Sequence, residues 1–130
     1  MLGSNPRVYP VGGDLFNFVT ASKKNKLREA DAKRMFAQIV SGVSYCHRHY
    51  IVHRDIKAEN IFLDEMNNVK IGDWGFSSEF HPGSKLETYC GSLDYAAPEV
   101  LSGISYTGPE VDIWSLGTIF NNFSFPALTL

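Results

Sequence analysis

Cysteine is scarce in this sequence: Cys46 and Cys90 are the only two, and they make no C-x-x-C pair. Nothing therefore suggests a disulfide-stapled secreted scaffold. The four histidines lack zinc-site spacing. No apolar run approaches the length of a membrane span, and Met1–Pro10 has no signal-peptide apolar region. An excess of either charge is missing too, since 12 basic and 14 acidic residues leave a formal net charge of −2. A chain so nearly neutral gives no electrostatic case for nucleic acid or an anionic membrane as the main partner. Internal repeats and low-complexity tracts are also lacking. What is present is a 44% apolar composition over 130 residues, the size of one domain or a piece of one. A chain of this length can bury roughly two-thirds of its unfolded surface, enough for a real core. These bounds lead to the expectation of an intracellular soluble protein, cytoplasmic or nuclear.

Met1–Pro10 is polar, with prolines at 6 and 10 and no clear periodicity. Gly12-Gly13-Asp14 reads as a turn leading into a helix N-cap, with Leu15, Phe18 and Val19 as the buried face. The strongest helix lies within Asn25–Tyr50. Ala32, Met35, Phe36, Ile39, Val40, Val43 and Cys46 recur there at three- and four-residue spacing, which predicts one core-facing stripe. Ile51-Val52, Ile61-Phe62-Leu63 and Val69-Lys70-Ile71 each fit a short strand, with Asn67-Asn68 as the turn between the last two. Ser77–Tyr95 is rich in glycine, serine and charge, and is expected to be a long surface loop. Val111–Phe120 resumes an apolar pattern suited to a helix buried on most sides. Asn121–Leu130 breaks that pattern with Asn121, Asn122 and Pro126.

Three polar clusters stand in the middle of the chain: His53-Arg54-Asp55 with Asn60, Asp73-Trp74-Gly75, and Ala97-Pro98-Glu99. Singly, Asp55-Ile56-Lys57 would pass for a surface ion pair and Asp73-Trp74-Gly75 for a turn. Together and in this order they resemble the signature set of protein kinases. The resemblance runs over residues 11–120. It implies an α+β protein-kinase-like fold, here a partial C-terminal, mostly helical lobe with short catalytic-loop strands. On that reading residues 1–120 are a partial kinase domain and 121–130 a tail without a family counterpart.

The implied activity is ATP-dependent phosphorylation of serine or threonine on a protein substrate, with Mg²⁺. Phosphoryl transfer asks the protein mainly for positioning and charge stabilisation. In the family's terms Asp55 orients or accepts the proton of the substrate hydroxyl, and Lys57 reaches the transferring phosphate. Asn60 and Asp73 supply hard oxygen ligands to Mg²⁺. His53 and Trp74 pack the cluster rather than react. Ser92, in Gly91-Ser92-x-x-Tyr95-Ala96-Ala97-Pro98-Glu99, is expected to bridge Asp55 and Lys57. The resemblance implies that Asp112 hydrogen-bonds the backbone around His53-Arg54-Asp55, and a buried carboxylate needs some partner on physical grounds too. Lys57 after Asp55 matches serine/threonine kinases. Leu86-Glu87-Thr88-Tyr89-Cys90-Gly91-Ser92 resembles the activation segment of kinases related to the AMP-activated kinase. Several stretches, such as Gly12–Phe16 and Val111–Gly117, look closest to the SNF-related serine/threonine kinase. Thr88 is then the expected target of an upstream activating kinase, and its phosphate would add about two negative charges beside Arg54.

The sequence also departs from the family. No G-x-G-x-x-G loop, strand lysine or partner-glutamate helix precedes Gly12. Their lack leads to the expectation that these 130 residues alone are inactive and marginally stable, as a truncated gene model or short splice form. Pro10 stands where the family offers a backbone N–H to adenine, which proline lacks. Asp14 falls at the family's acidic position near the ribose or a basic substrate side chain. Phe62 falls at the floor under adenine, where it either narrows the pocket or stacks on the base. Trp74 replaces the usual Phe, Ala58 the usual Pro, and Arg28 a capping Ser or Thr. The alternative is a catalytically inactive short form acting as a binding or regulatory module. Retention of Asp55, Lys57, Asn60 and Asp73 argues against long-standing loss of catalysis.

Overall fold

The computed structural model describes residues 12–22 and 27–123. The expectations about Met1–Pro10, including Pro10, and about the tail beyond Phe123 lie outside the described residues. Helix α1 (Leu15–Thr20) starts at Asp14, whose carboxylate accepts the Asn17 backbone N–H at 2.8 Å and so satisfies one orphan donor. Leu15 and Val19 are buried, as the N-cap reading required, and Phe18 packs beside them.

Helix α2 spans Glu29–Arg48. Arg28 gives it no side-chain cap and instead pairs with Asp31 at 3.0 Å. Glu29 and Asp31 in the first turn, and His47 and Arg48 in the last, suit the helix dipole. Ala32, Met35, Ile39 and Val43 form the buried stripe, flanked by Phe36. Val40 does not belong to it and is 41% exposed. One residue past Ile39 is a turn of about 100° around the helix axis, enough to carry it off the core face.

Strand β1 (Ile51–Val52) pairs antiparallel with β4 (Ser78–Glu79), Ile51 opposite Glu79. Strand β2 (Ile61–Leu63) pairs antiparallel with β3 (Val69–Ile71), Ile61 opposite Ile71. The turn between β2 and β3 is organised by Asp64. Its carboxylate accepts the backbone N–H groups of Met66 at 2.9 Å and Asn68 at 2.8 Å. The Asn68 backbone bond is the main reason that the Asp64 carboxyl lies below its ordinary range. Gln38 of α2 holds the same turn, accepting from Val69 N at 2.7 Å and donating to Asn68 Oδ1 at 3.1 Å. Gly12 and Gly13 extend the sheet beyond β2 through bonds of 2.9 and 2.7 Å with Leu63.

Residues 77–95 are not one loop, as expected, but carry β4, a backbone bridge from Leu86 to Tyr106 and a 3₁₀ turn over Leu93–Tyr95. After the short helix α3 (Pro98–Leu101), helix α4 runs from Pro109 to Phe123. The Glu110 side chain closes its first turn, accepting Thr107 N at 3.1 Å and Gly108 N at 2.6 Å. Val111, Asp112, Ser115, Leu116 and Ile119 are buried, but Ile113 is 56% and Trp114 50% exposed. The helix is thus buried on one face, not on most sides, and it continues past Asn121 rather than stopping there. None of the described helices is long and apolar enough to cross a membrane.

Two apolar clusters result. One gathers Leu15, Met35, Ile39, Ile56, Ile61, Leu63, Leu116 and Ile119; the other gathers Val52, Phe80, Ala97, Tyr106 and Val111. The polar run 53–55 lies between Val52 of one and Ile56 of the other, so its backbone is anchored at both ends.

Candidate active site

The 53–60 loop takes its shape from a single buried carboxylate. Asp112, 1% exposed, accepts His53 N on Oδ2 and Arg54 N on Oδ1, both at 2.9 Å. His47 from α2 adds its Nε2 to Oδ2 at 2.8 Å. Because the carboxylate can only accept, His47 donates. Arg54 has a φ of 72°, a left-handed conformation that costs a non-glycine residue. The Asp112 bonds compensate that cost.

His53 is buried and uses both ring nitrogens. Asp55 N donates to Nδ1 at 3.0 Å, which makes Nε2 the protonated nitrogen that donates to the Gly72 carbonyl at 2.9 Å. Its ring meets Trp74 edge-on at 4.5 Å, and the indole N–H is bonded to Ile71 O at 3.1 Å. Both residues therefore pack the cluster.

Asp55, Lys57, Asn60 and Ser92 come together. Asp55 Oδ1 accepts the Ser92 hydroxyl at 3.0 Å and the Ser92 backbone N–H at 3.2 Å. Lys57 Nζ donates to the same Ser92 oxygen at 2.7 Å. Asn60 Nδ2 donates to the Asp55 carbonyl at 2.8 Å and to Asp55 Oδ2 at 3.3 Å. The segment before Ser92 comes this close because residue 91 is glycine. Its φ is 102°, and a Cβ there would lie 2.5 Å from the Arg54 carbonyl oxygen. Helix α4 holds both sides of the cluster from one turn, since Ser115 Oγ donates to the Tyr95 carbonyl at 2.8 Å.

Gly72 joins the second motif to the first. Its N–H donates to Asn60 O at 2.9 Å, its carbonyl accepts His53, and Phe62 covers its Cα, where a Cβ would be 2.5 Å from the ring. Asp73, next along, is exposed with a φ of 50°, and accepts a long bond of 3.5 Å from Gly75 N. Asp14 bridges to Phe62 through the backbone, while its carboxylate serves as the α1 cap.

Thr88 is exposed. Its carbonyl accepts the Tyr106 hydroxyl, which itself accepts Arg54 Nη1 at 3.4 Å. Arg54 Nε donates to Phe76 O at 2.6 Å. The Cys90 thiol is pushed up, first by burial, with Arg54 opposing and Asp55 adding, so it stays protonated at neutral pH. That is a poor setting for a reactive thiolate.

The side-chain oxygen of Asn60 and the carboxylate of Asp73 are oxygen donors without a strong protein partner. Among the described residues no group of three or more His, Cys, Asp or Glu could hold a metal by itself. Mg²⁺ needs few protein oxygens, since it keeps waters and binds substrate phosphates, and Asn60 and Asp73 are the residues that could offer them. Sequence reasoning missed His47, Gly72 and Tyr106 as parts of this region. His47 follows Cys46 at the end of a helix with no local sign of a buried acceptor. Gly72 did carry a signal, standing beside the Asp-Trp-Gly motif.

A family model described as the protein kinase domain matches residues 8–127. Serine/threonine protein kinases OSK3 and OSK4 of Oryza sativa subsp. indica are each 54% identical over 107 residues, which is 82% of this chain and 21% of theirs. The chain thus spans about a fifth of the length of the curated relatives it matches. Its helices and two small sheets make up part of a kinase-like fold. Motif order, loop geometry and family match agree, and the chain belongs to the protein kinase domain family.

Proposed function

We propose that this chain is the catalytic-loop and activation-segment portion of a serine/threonine protein kinase, transferring the γ-phosphoryl group of Mg·ATP to a protein hydroxyl. The observation that carries this reading is the Asp55–Ser92–Lys57 bridge, at 3.0 and 2.7 Å. It puts a hydroxyl-accepting carboxylate and a phosphate-seeking ammonium around one point. Asp55 takes or orients the substrate proton, and Lys57 offsets charge on the transferring phosphate. Asn60 and Asp73 supply oxygens for Mg²⁺, which when bound neutralises phosphate charge. Phe62 and Asp14 belong to the nucleotide side.

The finer assignment is to the kinases related to the AMP-activated kinase, near the SNF-related serine/threonine kinase. The Leu86–Ser92 segment supports it, and the rice relatives support the serine/threonine class. Thr88 is the regulatory site for an upstream kinase and Arg54 the phosphate's partner. A cytoplasmic or nuclear location fits these roles.

A chimera tests the catalytic reading. The matched 107 residues of the rice kinase OSK3 are replaced with those of this chain. The chimera should phosphorylate a serine or threonine peptide, and Asp55→Asn should lower turnover by about 10²- to 10⁴-fold. A chimera that binds Mg·ATP but transfers nothing would sink the catalytic reading and favour the binding-module alternative.

A further inference from the structure

Tyr106 lies outside the three motifs, yet several contacts converge on it. It is 2% exposed and packs with Val52, Phe80, Ala97 and Val111. Its backbone exchanges two hydrogen bonds with Leu86, of 2.6 and 3.1 Å, and its ring stands 6.2 Å from that of Tyr89. Its hydroxyl joins the Thr88 carbonyl to the Arg54 guanidinium. A buried phenol needs hydrogen-bond partners. Here they are the backbone of the proposed switch residue and the cation proposed to receive its phosphate.

We infer that Tyr106 is a positioning residue that holds the Thr88 backbone beside Arg54 before any phosphate is added. The segment is fixed at one end by the Leu86 bridge and at the other by Gly91 and Ser92 against Arg54 and Asp55. Of the residues between, Glu87, Thr88 and Tyr89 are exposed and Cys90 is half-buried. The Tyr106 hydroxyl pins the middle of that span. Arg54 keeps further N–H donors beyond those given to Phe76 and Tyr106, so a phosphate on Thr88 meets a cation already in place. Binding a group that needs little ordering costs less. The tether is a property of the unmodified chain; only its regulatory meaning rests on the proposed role of Thr88.

Tyr106→Phe keeps the ring and deletes the hydroxyl. Limited chymotrypsin digestion of the 130-residue chain then reads the opening of the segment at the Tyr89–Cys90 bond, with cleavage after Tyr50 as an internal reference. Loss of one hydrogen bond should speed cleavage after Tyr89 by about three- to tenfold and leave Tyr50 unchanged. Thr88→Ala should cleave like the parent, because the carbonyl is what is held. Equal rates in parent and Tyr106→Phe would overturn the inference. So would an equal acceleration after Tyr50, which would make the hydroxyl a general stabiliser. With phosphothreonine built in at position 88, the charge-assisted pair with Arg54 should bring the Phe variant back toward the parent rate. Phosphothreonine that changes neither chain would remove Thr88 as the switch and leave the tether standing.

Discussion

Two residues within the motifs take left-handed backbone conformations, and they are treated in opposite ways. Arg54, at φ 72°, is fixed by a buried carboxylate, by Gly91 packed on its carbonyl and by side-chain bonds to Phe76 and Tyr106. Asp73, at φ 50°, is exposed, and among the described residues its carboxylate accepts only a 3.5 Å bond from Gly75. In the first case the strain places a peptide so that Asp55 faces Ser92 and Lys57. In the second it presents an acid with spare lone pairs. On the proposed function, the acid that meets a fixed hydroxyl is held by the fold, while the acid proposed to meet Mg²⁺ keeps spare lone pairs. Stability and function should therefore separate cleanly between the two.

The largest expected effect is at the held side. Asp112→Asn keeps one acceptor but turns an NH₂ toward backbone N–H groups, and should lower unfolding stability by about 2–4 kcal/mol. The shift in urea midpoint checks it; a change below about 0.5 kcal/mol would end the claim that this carboxylate organises the loop. At the open side, Asp73→Ala should leave stability within about 0.5 kcal/mol of the parent. The same change made in the chimera should abolish Mg²⁺-dependent nucleotide binding. A large stability loss would place Asp73 with Arg54 among the fixed residues.

The smallest effect is with acid. The Asp64 carboxyl is lowered, chiefly by the Asn68 backbone N–H. Glu110 is lowered too: burial raises it, but bonds from the Thr107 side chain and from the Thr107 and Gly108 backbone outweigh burial. A depressed folded-state value stabilises the fold above the unfolded carboxylate range, and that contribution is lost as pH falls through the folded value. Acidification should thus loosen the turn between β2 and β3 and the start of α4 as pH falls through these lowered values. Carboxyl carbon shifts followed by NMR would show Asp64 and Glu110 protonating below their ordinary range.

Much of this was legible in the chain. Ile61–Leu63 and Val69–Ile71 read as paired strands because short apolar runs flank a turn, and the paired strands follow those bounds. The stripe from Ala32 to Cys46 reads as a helix because its period survives without knowledge of partners. Ser78–Glu79 could not be read: two polar residues become a strand only because Ile51 and Val52 lie beside them. Ile113 and Trp114 read as core because apolar type says nothing about helix face, whereas Asp112, Ser115, Leu116 and Ile119 show which face is buried. Of the site, the bridge through Ser92 was foreseen from the motif. The ties through His47 and Tyr106 were not, since each depends on a partner far away in sequence and has no local pattern.

The clamp at Asp112 also sets a schedule for synthesis. It bonds residues 58 and 59 positions upstream, so the loop's final conformation cannot form on local contacts. A chain emerging from the ribosome has β1, β2 and β3 outside well before α4. Through that interval the His53 and Arg54 amides can donate only to water, and Arg54 lacks the bond that holds it left-handed. The turn between β2 and β3 can close early, since its bonds span a few residues, but the loop between β1 and β2 must wait for a helix made later. The arrangement around Asp55 thus depends on a helix made later than β1, β2 and β3.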